Sequence, residues 1–230
     1  LPQIGALLIN HHAKWGKTPE PKPELGYIQN FLHMLQTPGP KTSELYDVMR
    51  LFNVLHFDHS GGNLSTFVGK AVASGLEPMY GSLAAAMTAL AGPRHGRANQ
   101  DCLEFVQGVL KEVGPQASAA DVERLLRRKL ERKELVFGFG HAVLRVEDSR
   151  ATVCYKYCEK HFPQDPLVKI ALLLRSEGPK ILKENPKISS PYPNIDAISG
   201  SMLMAGGFPY PEYFTLLFGL SRAVGIAIQI

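Results

Sequence analysis

The sequence predicts an all-α protein in which a small domain is inserted between two pieces of a larger helical one, and three observations predict it. Apolar residues recur at helical spacing through most of the chain. Proline and glycine pairs interrupt those stretches at short intervals, and no segment alternates apolar and polar residues as a half-buried strand would. The charged, loop-rich middle contrasts with apolar flanks, which sets a small domain at about 97–206 between large-domain pieces at 1–96 and 207–230. A length of 230 residues leaves room for two units with real cores.

Taken in order, residues 1–15 are apolar and end at Gly16, and 17–23 hold Pro19, Pro21 and Pro23, a loop. Leu25, Ile28, Phe31, Leu32 and Leu35 predict a helix over 24–36, closed by Pro38 and Pro40. Thr42 or Ser43 caps the next helix, with Leu45, Val48, Met49, Phe52 and Leu55 as its inner face. That helix runs into a glycine-rich turn at 56–62 holding His56 and His59, and helices follow over 63–74 and 79–91. Gly92-Pro93 ends the second of these, because proline has no N–H and clashes backwards. Helices are expected over 101–113 and from the Ser118 cap to about Arg132, then an apolar loop over 135–141. Further helices are expected over 152–162, 167–175, 198–205 and 213–230, with a proline-punctuated loop at 183–193. Gly219 and Gly225 lower the stability of the last helix and imply close packing against it.

Charge and cysteine content narrow the function classes. The net charge is +4, but the densest basic run, 124–133, interleaves Leu125, Leu126 and Leu130 at helical spacing. That is the pattern of a solvated helix face, so no nucleic-acid partner is expected. Cys102, Cys154 and Cys158 form no CxxC pair and are expected to be buried thiols of a reducing compartment. No apolar run reaches the roughly 18 residues of a membrane span, so no membrane partner is expected. Gly138 and Gly140 do not complete a GxGxxG, and no strand–helix unit surrounds them.

Three loop-borne groups carry chemistry: His95 after GPR, His141 after GFG, and Asp196 after PN. Histidine donates and accepts protons near neutral pH, an aspartate beside it serves as base, and loops on a rigid scaffold aim such groups. Arg150 and Arg222 suit two-pronged carboxylate recognition. Each has a structural alternative: Asp196 as a helix cap, Arg222 paired with a surface acid, His95 solvated on a surface turn, and His59 capping a turn. His56, His59 and His95 also permit a metal site, although no HExxH or Cys/His ligand spacing accompanies them.

The sequence resembles the citrate synthase family from end to end. The motifs that carry the resemblance are DHSGGN at 58–63, LAGPRHGRANQ at 90–100, GFGHAVLR at 138–145 with Arg150 beyond, PNIDAISG at 193–200 and LFGLSRAVG at 217–225. The resemblance implies a two-domain helical fold, a homodimer, and condensation of acetyl-CoA with oxaloacetate without a further cofactor. It makes Asp196 the base for the acyl methyl, His95 the partner of the thioester oxygen, and His141 the group that polarises the ketone. It places His59, Arg150 and Arg222 on oxaloacetate. The loop of Val136, Phe137, Gly138, Phe139 and Gly140 would meet CoA, with Arg145, Lys187 and Asn194. It implies a cytoplasmic protein, or a mitochondrial one in a eukaryote. The same motifs occur in 2-methylcitrate synthases, which take propionyl-CoA, and a helical assembly module without activity is the non-enzymatic alternative. Family members continue before Leu1 and past Ile230, where an arginine reaches the partner's active site. These 230 residues alone are therefore expected to be poorly active, and to associate through the face of Phe214, Leu217, Phe218, Val224 and Ile228.

Overall fold

A computed structural model of the chain describes every residue except His59 and Ala142. Among the described residues the chain is helical: α1 (Pro2–Ala13), α2 (Tyr27–Met34), α3 (Ser43–His56), α4 (Leu64–Ala73), α5 (Met79–Leu90), α6 (Ala98–Val113), α7 (Ala119–Glu131), α8 (Ser149–His161), α9 (Pro166–Leu182), α10 (Asp196–Ala205) and α11 (Phe214–Gln229). The sole β feature among them is one antiparallel bridge between Phe139 and Pro193. The chain divides into two compact units. One comprises Leu1–Arg97 with Gly206–Ile230, and the other Ala98–Ala205.

Capping residues set most helix starts. Thr42 Oγ1 accepts from Leu45 N at 3.2 Å, and α3 then buries Leu45, Val48, Met49 and Phe52 on one face. Ser118 and Asp121 form a reciprocal capping box on α7. Asp165 accepts from Leu167 N and Val168 N at 2.9 and 3.0 Å, and Pro166 sits at the first position of α9, where its missing N–H is harmless. Each such cap contributes about 1 kcal/mol.

Some boundaries differ from the sequence expectation. Residues 2–13 form a full helix, closed by Lys14 in a left-handed conformation. Helix α2 starts at Tyr27 rather than residue 24, with Gly26 extended at its cap. Helix α8 starts at Ser149 because Asp148 caps it, accepting from Arg150 N. Helix α9 runs on to Leu182 through Gly178 and Pro179 instead of ending at Arg175. The run 124–133 lies mostly on α7, and its bases meet acids: Arg127 with Glu123 and Glu184, Arg128 with Glu112, Lys129 with Glu134. Such exposed pairs contribute roughly 0–1 kcal/mol each, as expected of a solvated face.

In the larger unit α11 packs on α3, α4 and α5. Glycines make this approach possible: a Cβ on Gly225 would lie 2.1 Å from the Phe57 carbonyl oxygen, and one on Gly219 would lie 3.3 Å from Met87 Sδ. Phe214, Leu217 and Phe218 are buried inside this unit, so the face expected to drive association is not a contiguous exposed patch; Ile228 is 79% exposed and Val224 half-buried, because Ala223, Gly225 and Ile226 turn inward at that level. In the smaller unit α10 packs on α6, α8 and α9, burying Ile198, Met202 and Leu203 completely. Burial of each of these side chains contributes about 1.5–3 kcal/mol. All three cysteines are buried free thiols, and no helix is long and apolar enough to cross a membrane among the described residues.

The approach at Gly225 is against backbone, which cannot move aside as a side chain would. Gly225→Ala is therefore expected to destabilise the protein by about 1–3 kcal/mol or more. Denaturant unfolding checks this, and an unchanged midpoint would contradict it.

Candidate active site

In the larger unit, α5 ends in a tight turn that presents His95. Gly96 N donates to Leu90 O at 2.7 Å and His95 N to Gly92 O at 3.0 Å. Position 96 must be glycine, since a Cβ there would lie 2.6 Å from the Leu90 carbonyl oxygen and 2.9 Å from Phe218. His95 Nε2 lies 2.8 Å from Ser65 Oγ, a fully buried hydroxyl on α4, and its ring stands edge-on to Phe218. Arg222 approaches the same phenyl ring, its guanidinium 4.5 Å from the centroid.

Arg222 is buried, unlike a surface arginine paired with an exposed acid, and its Nε donates to the His56 carbonyl at 2.6 Å. His56 is committed to the core. Its Nδ1–H donates to Phe52 O at 2.7 Å and its ring stacks on Phe52. His59 lies outside the described residues, and among those described no group of three or more His, Cys, Asp or Glu side chains is arranged to hold a metal ion. Burial, with the Arg222 charge in second place, brings the His95 imidazole down to about 4. The ring is neutral near pH 7 and acts through hydrogen bonds.

In the smaller unit two loops lie antiparallel, 136–141 and 190–196. Gly140 N donates to Tyr192 O at 3.1 Å and Asn194 N to Gly138 O at 2.9 Å. Gly138 and Gly140 have φ of +81° and +88°, a region that disfavours side chains, and a Cβ on Gly138 would meet Ala197 and Cys102 Sγ at 2.8 Å. Val136, Phe137 and Phe139 of the same loop are half-buried, and the Phe139 ring covers Gly178 of α9.

The loop ends in His141, whose Nδ1 accepts from both Val143 N and Leu144 N at 3.0 Å. A nitrogen that receives two backbone N–H groups carries no proton, so the ring proton sits on Nε2. Burial lowers the pKa of this imidazole; the Asp148 charge opposes this as the second-largest influence, and the Arg150 and Arg145 charges then add to the lowering. His141 is thus a neutral donor.

Arg150 is held by a residue that the sequence reading passed over. Its Nε and Nη2 donate to Asp148 Oδ1 and Oδ2 at 3.0 and 2.7 Å. Asp148 is buried, caps α8, and donates its own N–H to Pro193 O at 3.1 Å. Burial pushes its carboxyl up, but the Arg150 hydrogen bonds and charge, with the Ile195 N–H, outweigh this and hold it below the usual range. Its sequence signal was an acid directly before a helix start; Ser65, which anchors His95, had none.

Asp196 opens α10, the favourable end for a carboxylate. Its N–H donates to Asn194 Oδ1 at 2.9 Å, while Asn194 Nδ2 donates to Gly140 O at 2.9 Å. Both ends of the Asn194 amide are therefore used within the protein. Arg145 is exposed, with Nη1 donating to the carbonyls of His141 and Leu144, and Lys187 is exposed on the turn after α9. His95 and Arg222 thus meet through Phe218 in one unit, and His141, Arg150 and Asp196 meet through the paired loops in the other.

The sequence model of the family described as "Citrate synthase, C-terminal domain" matches residues 1–230. The chain belongs to the citrate synthase family. It is 39% identical over 230 residues to the mitochondrial citrate synthase of Daucus carota, a match covering all of this chain and 48% of that protein. It is 38% identical over 230 residues to the peroxisomal citrate synthase of Saccharomyces cerevisiae, covering all of this chain and 49% of that protein. The chain spans about half the length of the curated relatives it matches.

Among solved structures, the citrate synthase of Thermotoga maritima superposes with a TM-score of 0.80 at 30% identity, covering 98% of this chain and 58% of that one. The Thermoplasma acidophilum citrate synthase, in ternary complex with carboxymethyl coenzyme A and oxaloacetate, gives 0.81 at 30% identity, covering 98% and 57%. The all-α class expected from helical periodicity is that of the chain and of these citrate synthases.

Ring nitrogen NMR at pH 7 should find both imidazoles neutral, with His141 protonated on Nε2 alone. A His95 pKa near 4 against an unfolded value of about 6.5 means that the unfolded state binds more protons in that window. Stability should fall as pH drops from about 6.5 to 4, and His95→Gln should make that fall shallower. An identical pH profile in the variant would contradict the assignment.

Proposed function

We propose that the intact protein condenses acetyl-CoA with oxaloacetate to give citrate and CoA. The observation that carries the reading is the pair of backbone N–H groups aimed at His141 Nδ1, which leaves Nε2–H as a neutral donor for a ketone oxygen.

In this reading Asp196 removes a proton from the methyl group of the thioester, and neutral His95 donates to the thioester oxygen as the enol or enolate forms. A carbon acid this weak needs base and donor together. The methyl-derived carbon then attacks the ketone carbon of oxaloacetate, and the former ketone oxygen takes up a proton to become a hydroxyl. Water cleaves the resulting citryl thioester, releasing citrate and CoA thiol. His59, Arg150 and Arg222 hold the carboxylates and oxygens of oxaloacetate. Asp148 fixes the Arg150 fork before substrate arrives, which lowers the entropy lost on binding.

The loop of Val136, Phe137, Gly138, Phe139 and Gly140 takes the CoA adenine, with backbone groups left accessible by its glycines, and Arg145 and Lys187 serve the CoA phosphates. The chemistry is carried by side chains and calls for no cofactor beyond the CoA thioester. The protein acts as a homodimer, with no nucleic-acid or membrane partner, in the cytoplasm or, in a eukaryote, the mitochondrial matrix. Three unpaired buried thiols support a reducing compartment.

The test is thiol release on mixing the intact protein with acetyl-CoA and oxaloacetate. Release is expected only with both substrates, and none with both would overturn the reading. Asp196→Ala should lower turnover by about 100- to 10,000-fold with oxaloacetate binding nearly unchanged. Arg150→Lys keeps the charge but loses both the fork and the Asp148 grip. It should weaken oxaloacetate affinity by about 10- to 150-fold, with less effect on acetyl-CoA. Equal losses for both substrates in binding measurements would assign Arg150 a purely structural role.

A further inference from the structure

We infer that Asn194 is a positioning residue for the reaction rather than a CoA contact: its side-chain amide ties the loop that delivers His141 to the helix start that delivers Asp196. The inference rests on the proposed condensation, since it concerns the two groups acting in that reaction. The amide is used at both ends, Oδ1 accepting from Asp196 N and Nδ2 donating to Gly140 O, each at 2.9 Å. Gly140 is the residue directly before His141, so the second bond holds the carbonyl of the peptide that carries the imidazole. Backbone bonds on either side, Asn194 N to Gly138 O and Gly140 N to Tyr192 O, leave this contact no slack.

The rest of the loop is pinned as well. Phe139 presses its ring onto Gly178 of α9, where a Cβ would fall 2.4 Å from the ring, and Gly138 sits where a side chain would strike α10 at Ala197. The loop therefore has one position on α10, and Asn194 is the side chain that transmits it to Asp196. A misplacement near 1 Å of a reacting group costs about 100-fold in rate, so such a tether acts on turnover more than on binding.

Asn194→Asp separates the two bonds. The carboxylate still accepts from Asp196 N, but it offers an oxygen to the Gly140 carbonyl in place of an N–H. On the intact protein, kcat should fall about 10- to 100-fold while the KM values for acetyl-CoA and oxaloacetate stay within about threefold. In a His141→Ala background the same change should produce almost no further loss, because the group it positions is gone. Without substrate, amide hydrogen exchange should quicken over 138–141 and stay slow at Asp196.

A rise in acetyl-CoA KM with kcat retained would overturn the inference in favour of a CoA contact. Unchanged exchange over 138–141 would overturn the tether itself. Should Asn194→Asp not fold, Asn194→Ser, which keeps a short acceptor near Asp196 N and loses the reach to Gly140, is read by the same criteria. A wild-type protein that releases no thiol from the two substrates defeats the proposed function. A wild-type protein that turns over, with Asn194→Asp equally fast, defeats this inference alone.

Discussion

The antiparallel contact between residues 138–140 and 192–194 is the constraint on which the smaller unit's chemistry depends. Two backbone hydrogen bonds and the Asn194 amide join segments more than fifty residues apart in sequence. Each candidate site residue of that unit is positioned by what this contact holds. His141 leaves one end of it, Asp196 starts the helix at the other, and Asp148, which grips Arg150, donates its N–H to Pro193. Glycine conformations at 138 and 140 let the two segments approach, so the loop proposed to meet CoA also sets the register of His141 against Asp196.

A parallel logic governs the larger unit, with helix packing in place of paired loops. Helix α11 approaches the 57–58 backbone closely because Gly225 has no side chain, and three residues earlier Arg222 bonds the His56 carbonyl. Phe218, one turn before Arg222, receives both the guanidinium and the edge of His95. Burial of the His95 imidazole, with the neighbouring Arg222 cation adding to it, keeps that imidazole neutral. Two neutral imidazoles would suit the proposed stabilisation of an enol oxygen and a ketone oxygen without a proton being moved beforehand.

The legibility of this arrangement in the sequence followed the range of the interactions. Helix α5 was readable almost to the residue, because alanine-rich spacing begins it and Gly92-Pro93 stops it locally. Thr42 and Ser118 were readable as caps for the same reason. Helix α9 runs through Gly178 and Pro179, which are local breakers in sequence, because Ile181 and Leu182 are buried and hold its last turn in place. His95, His141 and Asp196 stand out in the sequence as candidates because a polar group on a glycine- or proline-bounded loop is a local signal. Asp148, Ser65 and the double use of the Asn194 amide do not, since each acquires meaning only from a partner distant in sequence, and no periodicity encodes such a pairing.

In the proposed reaction Asp196 strips one proton from the acyl methyl and the resulting carbon forms the new bond to the ketone carbon. Mass analysis of the product from acetyl-CoA carrying three deuteriums on its methyl group, supplied with oxaloacetate, tests it most directly. The expected product is citrate retaining two of the three deuteriums, formed by the intact protein and reduced by orders of magnitude in Asp196→Ala. Unlabelled oxaloacetate recovered beside trideuterated acetate, with no carbon–carbon bonded product, would contradict it.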